Sequence, residues 1–108
     1  MLKPQRPAPN PMTDNFHHNI AQNRFEYGDS EKLAVCEYQD RDRVWVFIHT
    51  YVPNELRGRG IAEKLVRCAL ETARDQKKKI DPQCSYVAAF LERHPVFQTL
   101  TQSEENER

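Results

Sequence analysis

The feature that most constrains the fold is an apolar run, "VWVFIHTYV" at residues 44–52, followed by a proline, two glycines and a helical pattern. The run is almost entirely β-branched or aromatic and shows little polar alternation, which predicts a central strand covered on both faces. Pro53 lacks the amide that an inner strand donates, so it ends the strand. The chain must then turn and begin a helix within a few residues.

That helix is predicted to begin near Gly60, because apolar residues recur there at intervals of three and four. The inward positions are Ile61, Ala62, Leu65, Val66, Ala69, Leu70 and Ala73. A short strand, "KIDPQC", and a second helix, "SYVAAFLERHP", follow, with Ser85 as a candidate cap and Pro95 as the stop. A strand, a long helix and a strand fit a right-handed crossover, so the two strands should be parallel.

Upstream, polar and apolar residues alternate in "RFEY", and "KLAVCEY" follows after the turn residues Gly28 and Asp29. The two segments are predicted as the first two strands of an antiparallel meander, with a polar turn at residues 39–43. The predicted class is α/β: a small mixed sheet, built from this meander and one parallel crossover, with two main helices. Residues 1–20, which hold four of the seven prolines, are predicted to be a disordered tail. The domain is placed at residues 21–100, and residues 101–108 are a polar tail.

Composition narrows the functional classes. The chain has 108 residues, which suits one domain, and its 16 Lys and Arg balance 16 Asp and Glu, which disfavours a nucleic-acid binder. No apolar run has the roughly 20 residues of a membrane span and no secretory signal is evident, so we expect a cytoplasmic protein small enough to enter the nucleus. Cys36, Cys68 and Cys84 suggest neither disulfides nor zinc. His17 and His18 are interpreted as solvated tail residues rather than metal ligands.

The loop between the long strand and the helix has the chemistry of an anion site. The start of a helix presents unpaired amides and the positive end of its dipole. Gly58 and Gly60 let an anion approach the backbone, and Arg57 and Arg59 add positive charge. The spacing fits neither the nucleoside triphosphate nor the dinucleotide glycine motif, so a phosphate or pyrophosphate is predicted. The alternative is an ordinary turn with exposed arginines.

The segment "RGRGIA", Arg57 to Ala62, resembles the R/Q-x-x-G-x-G/A signature of the GNAT N-acetyltransferase superfamily. The longer text "HTYVPNELRGRGIAEKLV", followed by "PQCSYVAAFLERHP", is similar to its short, stand-alone branch. The resemblance covers residues 23 to about 97. It implies an acetyl-CoA-dependent N-acetyltransferase acting on an amine; the alternative is a non-catalytic module that binds CoA or acyl-CoA.

The resemblance also implies roles for individual residues. Six would hold the pyrophosphate: Arg57, Gly58, Arg59, Gly60, Ile61 and Ala62. Thr50, Tyr51 and Val52 would pair with the pantetheine amides. The thioester would lie where the two parallel strands splay apart, near Cys84. Cys84 is either an acyl relay, a contact lining the pocket, or a small buried residue.

Two further side chains are candidates for proton transfer. His49, interpreted as the only histidine inside the core, is either a general base or a hydrogen-bonded structural imidazole. Tyr51 stands where many similar proteins carry a glutamate, and either protonates the leaving thiolate or packs; His94 is assigned a structural role. Since the chain lacks the helices that wall the acceptor site in larger GNAT domains, we expect an open groove suited to a protein lysine or a polyamine, and a homodimer could supply a wall.

Overall fold

The computed structural model describes residues 16–29 and 31–101, which form one five-stranded sheet and two α-helices. The strands are β1 (Phe16–Asn19), β2 (Arg24–Asp29), β3 (Lys32–Arg41), β4 (Val44–Tyr51) and β5 (Lys79–Pro82); the helices are α1 (Ile61–Asp75) and α2 (Ser85–Arg93). Short 3-10 turns cover Ile20–Gln22, Asn54–Leu56 and Pro95–Thr101. The strands lie in chain order, antiparallel from β1 to β4, with β5 parallel to β4. The predicted mixed sheet with one parallel crossover is confirmed.

Both helices pack on the same face of the sheet. The inward stripe of α1 was predicted correctly, except that Ala62 is only half-buried. These side chains share one apolar core with Phe25, Phe47 and Phe90. Between the helices, the Arg67 guanidinium of α1 lies 5.5 Å from the centre of the Phe90 ring of α2, a favourable cation–π arrangement. One face of the sheet therefore carries the core.

The prediction that β4 is covered on both faces is wrong. Trp45 and Phe47 are 2% and 0% exposed, whereas Ile48 is 42% exposed. The strand does have partners on both sides, β3 and β5, so its inner position in the sheet was correct. An apolar run indicates that a strand is buried, but it does not indicate whether one face or both faces are covered. Here both helices cover the same face of the sheet.

A β-bulge interrupts the pairing of β3 with β4. Glu37 lies opposite His49 and Tyr38 lies opposite Phe47, so Ile48 has no partner residue of its own. One extra residue reverses the facing of all that follow, because successive side chains alternate between the two faces. The face that carries Ile48, His49 and Tyr51 is called the open face below.

The predicted N-terminal tail is too long. Residues 16–20 are ordered as β1 and the start of a 3-10 turn, so "RFEY" and "KLAVCEY" are the second and third strands. Nor is His18 a solvated tail residue: its Nε2 lies 2.7 Å from the Tyr38 hydroxyl and its ring stacks on Phe25 at 4.1 Å. This packing fixes β1 against the core. Residues 1–15 and 102–108 of the predicted tails lie outside the described residues.

Two local predictions also need correction. The turn placed at residues 39–43 is shorter, because β3 continues to Arg41 and Asp42 adopts a left-handed φ of 70°. Ser85 is the first residue of α2, and the cap is Cys84. Within the described ranges, no helix is long and apolar enough to cross a membrane, and no three His, Cys, Asp or Glu side chains group to hold a metal ion.

Candidate cofactor-binding site

The glycines of the loop before α1 adopt conformations that other residues rarely take. Gly58 has φ 82° and Gly60 has φ 72°, both in the left-handed region. A Cβ added at either position would meet nothing within 4 Å, so the space beside the loop is open. Gly60 caps α1 without a side chain, which leaves the amides of the first turn and the positive end of the helix dipole directed at that space. Such a geometry has the shape and polarity that suit an anion.

A cleft of about 240 Å³ joins this loop to the end of β4 and to α2. Its walls are Val52, Leu56, Arg57, Gly58, Gly60, Ile61, Ala62, Glu63 and Tyr86. The Oε2 atom of Glu63 lies 3.5 Å from the Arg67 guanidinium and 3.4 Å from Nε2 of His94. His94 also stacks on Phe90 at 4.1 Å. The lining therefore combines apolar walls with a polar rim at the helix start.

The two loop arginines differ in their contacts. Arg57 donates from Nε to the Val52 carbonyl at 2.8 Å, and its guanidinium carbon lies 6.0 Å from the centre of the Tyr51 ring. Arg59 is exposed and does not line the cleft. Arg57 thus ties the loop to the end of β4, a contact that the sequence did not reveal.

Beyond its midpoint, β4 separates from β5. The parallel register ends at Phe47 and Pro82, and the last link is the Cys84 amide, which donates to the Phe47 carbonyl at 2.8 Å. The register of β5 does not reach residues 48–51, whose other edge pairs with β3. An unpaired strand edge is where an extended group carrying amides can add to a sheet. The cleft beside the glycine loop is also lined by Val52, which directly follows this stretch of β4.

Cys84 lies at this divergence, on the core face. It is 8% exposed, and its Sγ is 3.4 Å from Oγ1 of Thr50, whose hydroxyl also donates to Cys36 Sγ at 3.7 Å. Burial raises the pKa of Cys36 to about 12, so that thiol stays protonated. Cys84 is not among the residues that line the cleft. Cys68 is half-buried on the flank of α1.

His49 is not inside the core. The bulge at Ile48 places it on the open face, where it is exposed, 6.5 Å between ring centres from Tyr51, which is 46% exposed. Thr50, between them in sequence, faces the core. The three residues that the sequence assigned to catalysis therefore divide between two faces: Cys84 on the core face, His49 and Tyr51 on the open face. No sequence signal marks the bulge, so the division was not foreseeable.

These features define a class: a mixed sheet with splayed parallel strands and a glycine loop that starts the crossover helix. The family described as GCN5-related N-acetyl-transferase matches residues 24–100, and the chain belongs to that family. Membership supports acyl transfer in general.

Similarities to individual proteins support this family assignment. Protein NATD1 of Bos taurus and that of Homo sapiens are each 36% identical over 68 residues, which cover 63% of this chain and 59% of theirs. The chain thus spans about three-fifths of the length of these relatives. The NMR solution structure of a GCN5-like candidate N-acetyltransferase from Staphylococcus aureus is similar at TM-score 0.64 and 32% identity, over 79% of this chain and 84% of the other.

Proposed function

We propose that this protein is an acetyl-CoA-dependent N-acetyltransferase that moves an acetyl group to an amine. The observation that supports the proposal best is the start of α1. Two left-handed glycines hold its uncapped amides beside a cleft that runs towards the splayed end of β4. The shape suits a ligand with phosphates at one end and an amide-bearing arm at the other.

The described residues fit such a cofactor. The amides from Gly58 to Ala62 would bind the pyrophosphate, aided by the charge of Arg59 and by Arg57 where it can release Val52. The backbone of Thr50, Tyr51 and Val52 would pair with the pantetheine arm as an added strand. Bound acetyl-CoA would supply an acetyl group activated as a thioester.

The proton steps are assigned to the open face. There the acceptor amine must lose a proton and the departing thiolate must gain one. We assign the first role to the His49 imidazole and the second to the Tyr51 hydroxyl, since both side chains are exposed near the splay. Cys84 lies on the core face beside the splay of β4 and β5, where it would line the acetyl pocket or act as an acyl relay.

The acceptor is proposed to be a protein lysine or a polyamine. The open face near Tyr51, which is 46% exposed, can be reached by a long amine-bearing side chain or a polyamine. A second copy of the chain could supply a wall. We place the protein in the cytoplasm on the basis of its sequence alone.

Calorimetric titration with acetyl-CoA and CoA tests the cofactor site. Gly60→Asp inserts a negative charge where the phosphates should bind, and Gly60→Asn is the matched control, since both residues tolerate left-handed φ better than most. We expect Gly60→Asp to weaken binding at least 100-fold and Gly60→Asn to weaken it less. Equal affinity of the wild type and Gly60→Asp would contradict the site.

A non-catalytic CoA-binding module is the second candidate, because His49 and Tyr51 are exposed rather than enclosed. Release of free CoA in the presence of lysine peptides or polyamines separates the two functions. For the enzyme, we expect His49→Ala to slow release about 10²-fold while binding is retained. Tight binding without release on any amine would favour the module.

A further inference from the structure

The core face of β4 holds a pair of thiols joined by one hydroxyl. Thr50 Oγ1 lies 3.4 Å from Cys84 Sγ and 3.7 Å from Cys36 Sγ. Thr50 and Cys36 are partners in the β3–β4 register, and Cys84 follows β5 on the other side of β4. The two cysteines are therefore two strands apart. At about 4.8 Å per strand this separates their Cα atoms by more than a disulfide spans, so the cluster is not a disulfide pair.

We propose that the Thr50 hydroxyl is a positioning residue that holds Cys84 Sγ and stabilises its thiolate form. A hydroxyl carries a single proton and can donate to only one sulfur at a time. In the structure Thr50 donates to Cys36, and its oxygen can accept from the Cys84 thiol. When Cys84 loses its proton, its sulfur can only accept, and a hydrogen bond to a charged acceptor is the stronger one. The hydroxyl proton then turns from Cys36 to Cys84.

The surroundings of Cys84 make this hydroxyl important. Among residues 16–29 and 31–101, no charged side chain is buried, so no lysine or arginine lies in the core to stabilise an anion there. The titratable group shown beside Cys84 is Cys36 on β3, which shares the Thr50 hydroxyl with it and interacts with it electrostatically. Cys36 is fully buried with a raised pKa, so it remains a neutral thiol and accepts the Thr50 proton more weakly than a Cys84 thiolate would. The cap position on α2 adds the favourable end of that helix dipole.

The inference rests on the proposed function, because a stabilised thiolate matters only beside a bound thioester. Its test, however, needs no cofactor. Iodoacetamide alkylates thiolates, and trypsin places the three cysteines in separate peptides: Cys36 in residues 33–41, Cys68 in 68–74 and Cys84 in 80–93. Mass spectrometry therefore follows each thiol separately in the complete chain.

Thr50→Val removes the hydroxyl with little change of shape, and Thr50→Ser retains it. We expect Thr50→Val to slow alkylation of Cys84 about three- to tenfold at pH 7.5 and to move its pH–rate profile to higher pH, and Thr50→Ser to stay within about twofold of the wild type. Unchanged rates and an unchanged profile in Thr50→Val would overturn the proposal. The 33–41 peptide controls for loosening of the core, since fully buried Cys36 should stay unmodified in the wild type and in both Thr50 variants.

Cys36→Ala supplies a second test that does not depend on the folding of Thr50→Val. It removes the competing acceptor, so the Thr50 hydroxyl is free to donate to Cys84. The alkylation rate of Cys84 should therefore equal or exceed that of the wild type. A slowing as large as that expected for Thr50→Val would mean that packing, not the hydrogen bond, controls the thiol. Gly60→Asp separates this inference from the cofactor site: it should lose acetyl-CoA binding in calorimetry and leave the alkylation rate of Cys84 in the free protein unchanged, whereas Thr50→Val should slow that alkylation.

Discussion

The two faces of β4 differ in almost every property that matters for function. On the core face, Phe47 is fully buried and Thr50 bonds to thiols; on the open face, Ile48 is 42% exposed and His49 and Tyr51 are accessible. One strand therefore supplies both rigid packing and an approachable surface. Any strand has two faces, and the bulge at Ile48 decides that His49 points outwards and Thr50 inwards, the reverse of what unbroken alternation from Phe47 would give.

This division suits an enzyme that must bring two molecules together. The cofactor arm would use the backbone edge between the two faces, and the acceptor would arrive from the open side. A site on a well-packed strand holds its geometry better than one on a loop. The core face should therefore be sensitive to mutation for reasons of stability, and the open face for reasons of activity.

The largest expected effect compares neighbours on opposite faces. Phe47→Ala should lower the free energy of unfolding by about 3–5 kcal/mol, because it leaves a cavity in the core. Ile48→Ala should cost less than about 1 kcal/mol, since the side chain is already largely in water. Urea unfolding followed by circular dichroism measures both. Similar losses would show that the open face is packed as tightly as the core. Should Phe47→Ala be unfolded without urea, Phe47→Leu provides the milder version of the same comparison.

The fold was largely predictable because its determinants are local. The three- and four-residue spacing of α1 and the apolar run of β4 each fix one element, and their order fixes the parallel crossover. The glycine loop was recognisable for a similar reason: positions with left-handed φ favour glycine, and glycine is visible in a sequence.

The facing of side chains was not predictable. A bulge changes the face of every later residue and leaves no compositional trace, so His49 was wrongly placed in the core. The hydrogen bond from Arg57 to Val52 and the Cys36–Thr50–Cys84 cluster each join residues whose relation depends on tertiary packing. β1 was missed because its four residues follow a proline-rich stretch, and its stability comes from the contacts of Phe16 and His18 with β2 and β3.

The smallest expected effect concerns His18, the histidine that packs at the core face. Partial burial, followed by the neighbouring charge of His17, lowers the pKa of His18 from its ordinary value of 6.5. A group with a lowered pKa in the folded state binds protons more readily when unfolded. Its contribution to stability is therefore complete above pH 6.5 and is lost as the pH falls through its folded-state pKa.

The melting temperature measured between pH 7.5 and 5 tests this sign. We expect the wild type to lose stability towards pH 5 and His18→Phe, which retains a ring to stack on Phe25, to lose less over the same range. The difference should be modest, because the imidazole is only half-buried and water screens its charge. An equal or steeper decline in His18→Phe would show that the protonation of another group causes the loss of stability towards pH 5. β1 would then be held by the Phe16–Tyr27 and His18–Phe25 ring contacts, with no contribution from the protonation state of His18.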